Sequence, residues 1–185
     1  MAVLPIVTFG DPVLQKKAKP VLSDDPELQA CIDDLFETMY EAAGVGLAAP
    51  QVGKSIRLFV VDADAVTESE DGIKLGRGVF INPVIEPVGD ETWDSEEGCL
   101  SIPDVRDQVT RPKKIYIRYY DRNFQFHEEE HEGWYARVLQ HEMDHLNGIL
   151  FIDYLGAFRK RLLRSKLENI RLGKVETEYL VATRE

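Results

Sequence analysis

Cysteine is nearly absent: Cys31 and Cys99 are the only two in 185 residues, too few for a disulfide scaffold. No apolar run approaches the ~20 residues of a membrane span, so no membrane partner is expected. The opening Met1-Ala2-Val3-Leu4-Pro5-Ile6-Val7 has neither a basic head with a long apolar stretch nor any Arg or Ser. That excludes a secretory signal and argues against a transit peptide. Internal repeats are missing, as are linkers rich in Gly, Pro or Ser. Positive charge is scarce, with 22 Lys/Arg against 33 Asp/Glu and a formal charge of −11. These absences point to one cytoplasmic globular domain over residues 1–185, which at 44% hydrophobic can bury a core.

The acidic balance is uneven. Seven Lys/Arg and one acid lie between Ala157 and Lys174, within a basic C-terminal helix and tail expected over residues 155–185. An acidic body does not suit general polyanion binding, but this segment could touch nucleic acid locally, or simply show a solvated helix face.

Asp24 or Asp25 is placed to cap a helix through about Ala42, with Leu28, Ile32, Leu35 and Met39 on one face and Cys31 a small core residue beside it. Strands are expected over Ile56–Val61, Val79–Ile85 and Lys114–Tyr120, the last alternating strictly. The acidic stretch from Asp62 to Gly76 reads as a mobile surface loop. Further helices are expected over about Glu132–Leu146 and Tyr154–Leu172. In the latter, Leu163, Leu167 and Ile170 share a face that Arg159 and Lys166 interrupt. Strands interspersed with a few helices predict an α+β fold: mixed or antiparallel strands around a central metal-binding helix, with a C-terminal helix.

The segment His141-Glu142-Met143-Asp144-His145 carries the chemistry. Residues four apart on a helix lie about 40° apart in projection, so both imidazoles can reach one metal ion. Glu142 lies about 100° round from His141, which suits a water beside the ion rather than the ion itself. Trp134 and Val138 precede the histidines on the same face and are expected to line an adjoining apolar pocket.

Three solutions for a third ligand can be tested. A longer His motif would put its ligand at Phe151, which cannot coordinate. Glu168 lies among Arg164, Lys166 and Arg171, where a surface ion pair explains it. Cys99, in Glu96-Glu97-Gly98-Cys99-Leu100-Ser101, offers a sulfur donor, and Gly98 beside it leaves room for close backbone approach. Two His and one Cys would leave a tetrahedral position open, as in catalytic sites. His127 and His131 read as solvated surface groups in a Glu-rich stretch. The glycines flanking Val45, in Gly44-Val45-Gly46-Leu47-Ala48-Ala49-Pro50-Gln51, would admit another backbone. Two rivals remain open here: a zinc endopeptidase using Glu168, and a binding module with a structural metal.

Taken together, Gly44–Gln51, Glu97–Ser101 and His141–His145 match G-x-G-L-A-A-x-Q, E-G-C-L-S and H-E-x-D-H in order, and the chain resembles peptide deformylase over roughly its first 155 residues. The resemblance implies a hydrolase that removes the formyl group from formyl-methionyl nascent peptides and releases formate. It implies that Cys99, His141 and His145 hold one divalent ion, ferrous iron with zinc, nickel or cobalt as alternatives. Glu142 would be the acid/base, while Gln51 and the Leu100 N–H would face the reacting carbonyl. Val45 and Gly46 would pair with the peptide as an added strand, with Gly98 near the same substrate. Trp134 and Val138 would then help line the methionine pocket. The expected partner is the ribosome, with ribosomal RNA meeting the basic segment.

Overall fold

The computed structural model describes residues 1–64 and 76–182, so most of the predicted acidic loop lies outside the described residues. The first helix, α1 (Pro26–Glu41), starts where the Asp25 carboxylate accepts from the Leu28 N–H at 2.8 Å. Its predicted face is buried, and Cys31 is a core residue.

Six further elements, β1 (Gly46–Ala48), β2 (Leu58–Asp62), β3 (Arg77–Pro87), β6 (Lys114–Tyr120), β7 (Phe126–Glu132) and α2 (Gly133–Leu146), form the body. The strands make an antiparallel sheet in the order β1-β2-β3-β6-β7. A separate hairpin pairs β4 (Thr92–Cys99) with β5 (Ile102–Pro112) through the Leu100-Ser101 turn. Helix α2 packs on the sheet, burying Tyr135, Val138, Leu139 and Leu146 with Phe59, Phe80, Ile115 and Ile117. The α+β architecture with a central histidine-bearing helix follows.

The predicted strands are present, β6 at its expected ends and β2 and β3 with shifted ones, and four strands are additional. β1 is a three-residue piece of the small-residue run, and β4 and β7 are too polar to read as strands. β7 is an edge strand, where charge discourages pairing with other chains. It corrects the reading of His127 and His131 as merely solvated. Both are half-buried on this strand, His127 bonded to Asp121 at 2.7 Å and His131 to Glu129 at 2.8 Å.

The last helix, α3 (Ala157–Arg171), starts three residues later than expected, because Phe151–Tyr154 forms a separate 3-10 turn and Leu155 is extended. The two cations that interrupt its apolar face dock it: Arg159 pairs with Asp107 at 2.7 Å and the Lys166 ammonium donates to the Asp104 carbonyl.

Helix α2 ends in a Schellman motif. Ile149 N–H donates to the Asp144 carbonyl at 2.9 Å and Gly148 N–H to that of His145 at 3.3 Å. Gly148 has φ +72°, and a Cβ there would lie 2.7 Å from the Gln15 backbone. Gly148→Ala should therefore cost about 1–3 kcal/mol from the left-handed strain alone. Urea unfolding should show a lower midpoint, and an unchanged midpoint would contradict this account.

Candidate metal centre

Helix α2 and the β4–β5 turn bring His141, His145 and Cys99 together, with one ligand atom from each within 4.8 Å of the others. Cys99 Sγ lies 3.4 Å from His145 Nε2, and the imidazoles meet edge-on at 5.1 Å. The hairpin register shifts between Gly98 and Cys99, so the ladder is irregular beside the sulfur donor.

Glu97 orients this cluster. Its buried carboxylate accepts from Arg111 Nε at 2.5 Å and Nη2 at 2.9 Å, from Arg137 Nη1 at 2.7 Å and from His141 Nδ1 at 2.9 Å. Because a carboxylate only accepts, His141 carries its hydrogen on Nδ1, leaving the Nε2 lone pair for the cluster. Burial would raise the Glu97 carboxyl, but hydrogen bonds from Arg111 and His141 overcome this and hold it well below the usual range. Arg111 also donates to Asp144 at 2.9 Å, and Asp144 accepts from the Tyr154 hydroxyl. Arg137 reaches the Trp93 carbonyl at 2.7 Å and lies over its ring.

Burial, helped by His141, keeps His145 well below the ordinary imidazole range, so its ring is neutral. For His141 burial pushes the same way, but hydrogen bonds to Cys99 and Glu97 overcome it and raise the ring above its ordinary value. A cation at Nε2 would take the place of that second proton, with Nδ1–H still donating to Glu97. Burial pushes Glu142 up to about 7, opposed chiefly by His141, and its buried Oε2 has no hydrogen-bond partner among the described residues. A soft sulfur, two imidazoles and an unpartnered carboxylate oxygen fit a divalent cation with a reactive water.

Gln51 is buried on a 3-10 turn. Its Oε1 accepts from the Ala48 N–H at 2.9 Å, which fixes the amide so that Nε2 lies 3.6 Å from Cys99 Sγ and 3.2 Å from Ser101 Oγ. Gly46 lies under Glu142: a Cβ there would sit 2.6 Å from Oε1. Among the described residues β1 pairs with β2 on one side only, and Val45 gives its carbonyl to the Asp62 N–H at 2.9 Å. Alternation along an antiparallel pair then turns the Gly46 main-chain groups toward the open edge. A cavity of about 1050 Å³ is lined by every expected site residue except His145, which is buried behind it.

The alternative ligand Glu168 lies on α3, paired with Arg171 at the surface, and Phe151 stacks beside His141. Sequence reasoning missed Arg111, Arg137 and the role of Asp144. Arg137 carried a signal, being a charge one helical turn before His141 on the buried side of α2.

A His pair on one helix, a sulfur from a hairpin turn, a free approach through the cavity and a buried carboxylate beside it define a metal-dependent hydrolase. A family profile described as polypeptide deformylase matches residues 3–161. A peptide deformylase of Christiangramia forsetii is 49% identical, with 96% of this chain and 94% of that protein covered. Among solved structures, a peptide deformylase from Legionella pneumophila has a TM-score of 0.81 at 41% identity, covering 95% of this chain and 99% of that one. One from Ehrlichia chaffeensis, in complex with actinonin, has a TM-score of 0.83 at 37% identity, covering 95% and 100%. The chain belongs to the peptide deformylase family, metal-dependent hydrolases that remove the N-terminal formyl group from nascent peptides.

The buried carboxylate yields a prediction. Glu97→Gln removes the charge that orients His141, and metal affinity should fall by about 10–100-fold. Competition against a chelator measures this, and unchanged affinity would remove Glu97 from the metal's support.

Proposed function

We propose that Cys99, His141 and His145 hold one divalent cation, ferrous iron in the native protein with zinc, nickel or cobalt able to replace it, and that residues 1–185 act as one cytoplasmic catalytic domain. The observation that carries the reading is the convergence of these donors beside Glu142, whose buried Oε2 has no hydrogen-bond partner among the described residues. When bound, the cation polarises the formyl carbonyl and makes water a better nucleophile near neutral pH.

The protein's own groups do the rest. Glu142 takes a proton from the attacking water and later gives it to the leaving amine. Oxygen adds to the formyl carbon, the C–N bond breaks, and formate departs from a free N-terminus. Gln51 Nε2–H and the Leu100 N–H donate to the carbonyl oxygen as charge gathers there, and one such donor is typically worth ~3–4 kcal/mol. The open edge of β1 at Val45 and Gly46 pairs with the extended peptide, which passes beside Gly98. Trp134 and Val138 form part of the wall for the methionine side chain. A formyl carbon bears only hydrogen, so a tight wall beyond it favours formyl over larger acyl groups.

Metal content and formate release from a formyl-Met peptide test this on protein purified without oxygen. Glu142→Gln should keep its metal and lose about 10²–10⁴-fold in kcat, whereas Cys99→Ala should lose the metal. Metal retained by Cys99→Ala would reject the ligand set, and turnover retained by Glu142→Gln would reject the acid/base role.

Helix α3 presents Lys160, Arg161 and Arg164 on its exposed face. We propose that this face meets ribosomal RNA where the nascent peptide emerges. Ribosome binding should weaken as salt rises, and Arg161→Ala with Arg164→Ala should weaken it further. Binding indifferent to both would reject the contact.

A further inference from the structure

The segment following α3 lies beyond the residues matched by the family profile. Gly173 turns the chain with φ +71°, and residues 174–182 run back to the cavity, which Glu176, Thr177, Glu178 and Tyr179 help line. The segment is fastened along its length. Val175 packs against the cluster around Ile102 and Ile170. The Leu180 carbonyl accepts from the Ile6 N–H at 2.9 Å, and the Ala182 N–H donates to the Ile6 carbonyl at 2.8 Å. Ile6 is fully buried, so this end is tied to the core.

Between these anchors the Tyr179 hydroxyl donates to the Leu100 carbonyl at 2.7 Å, while its ring packs on the core cluster containing Ile6 and Met39. Burial, followed by nearby Cys99 and Asp104, raises the phenol above its ordinary value, so it remains a donor. Leu100 and Ser101 form the turn of the hairpin. The peptide between them, which carries the Leu100 carbonyl, is the unit that flips when a tight turn changes type, and it shares the Leu100 Cα with the peptide that carries the Leu100 N–H. Its neighbours are held too: the Ser101 carbonyl accepts from the Phe9 N–H at 2.8 Å, and the Leu100 side chain occupies the space a Cβ at Gly44 would fill.

We propose that Tyr179 is a positioning residue for deformylation: by pinning the Leu100 carbonyl, while the Leu100 side chain is held at Gly44, it fixes the Leu100 Cα and so the placement of the N–H that the preceding peptide carries. The proposal rests on the assignment of that N–H to the reacting oxygen. A donor aimed at charge that develops only in the transition state acts on kcat rather than on ground-state binding. Small displacements of such a group are costly.

Tyr179→Phe removes the hydrogen bond and keeps the ring. Steady-state kinetics with a formyl-Met peptide should show kcat about three- to tenfold lower with KM unchanged. The affinity for a peptide aldehyde, whose hydrate imitates the tetrahedral intermediate, should fall by a similar factor, while that for the deformylated product peptide and the melting temperature stay the same. Gln51→Leu is the companion variant. If it lowers kcat and Tyr179→Phe does not, or if Tyr179→Phe changes only KM or the melting temperature, the positioning role is overturned. If Gln51→Leu also leaves kcat unchanged, the assignment of the reacting oxygen fails, and the proposal with it.

Discussion

The site depends on one buried charge. Glu97 is 6% exposed and accepts hydrogen bonds from two arginines and a histidine. An isolated carboxylate in such a place would be severely penalised, so burial is tolerable only because its lone pairs are met by Arg111, Arg137 and His141. The same bonds tie three elements together: Glu97 is on β4, Arg111 on β5, and Arg137 and His141 on α2, with Arg111 continuing to Asp144 near the helix end. The hairpin that brings the sulfur and the helix that brings the imidazoles are thus locked by one polar network. Charge neutrality and ligand geometry are a single requirement here.

Much of this was legible in the sequence, for identifiable reasons. Amphipathic spacing located α1 and α2, since Leu28, Ile32, Leu35 and Met39 bury one stripe and Trp134, Val138 and His141 line one side of the cavity. Strict alternation located β6 to the residue. The three short motifs identified groups that the fold gathers from distant parts of the chain. What escaped was structure whose side chains carry no hydrophobic signature. β4 and β7 hold their places by hydrogen bonding and ion pairs, and a run such as Phe126-His127-Glu128-Glu129-Glu130-His131-Glu132 advertises charge, not a strand. Arg111 and Arg137 escaped because a buried arginine looks like a surface one until its partners are known.

The glycines of the Gly44–Gln51 run show how local composition becomes geometry. The space a side chain at Gly46 would need is filled by the Glu142 carboxylate, and that at Gly44 by the Leu100 side chain. Absence of two side chains thus lets the base and the turn both close in on the start of β1. The basic helix illustrates the converse, because Arg159 and Lys166, which spoil its amphipathic pattern, are the residues that fasten it to β5.

An unpaired strand edge is hazardous for any protein, since it can recruit identical copies into growing cross-β assemblies as readily as it recruits a peptide. β1 is such an edge, yet it is three residues long, and Gly46, Leu47 and Ala48 are all buried at the cavity wall. A lone extended chain end can thread into so short and recessed a slot, whereas the broad flank of another folded sheet is sterically barred. Brevity and depth thereby serve as a colloidal safeguard, keeping the molecule receptive to threads and closed to its own kind.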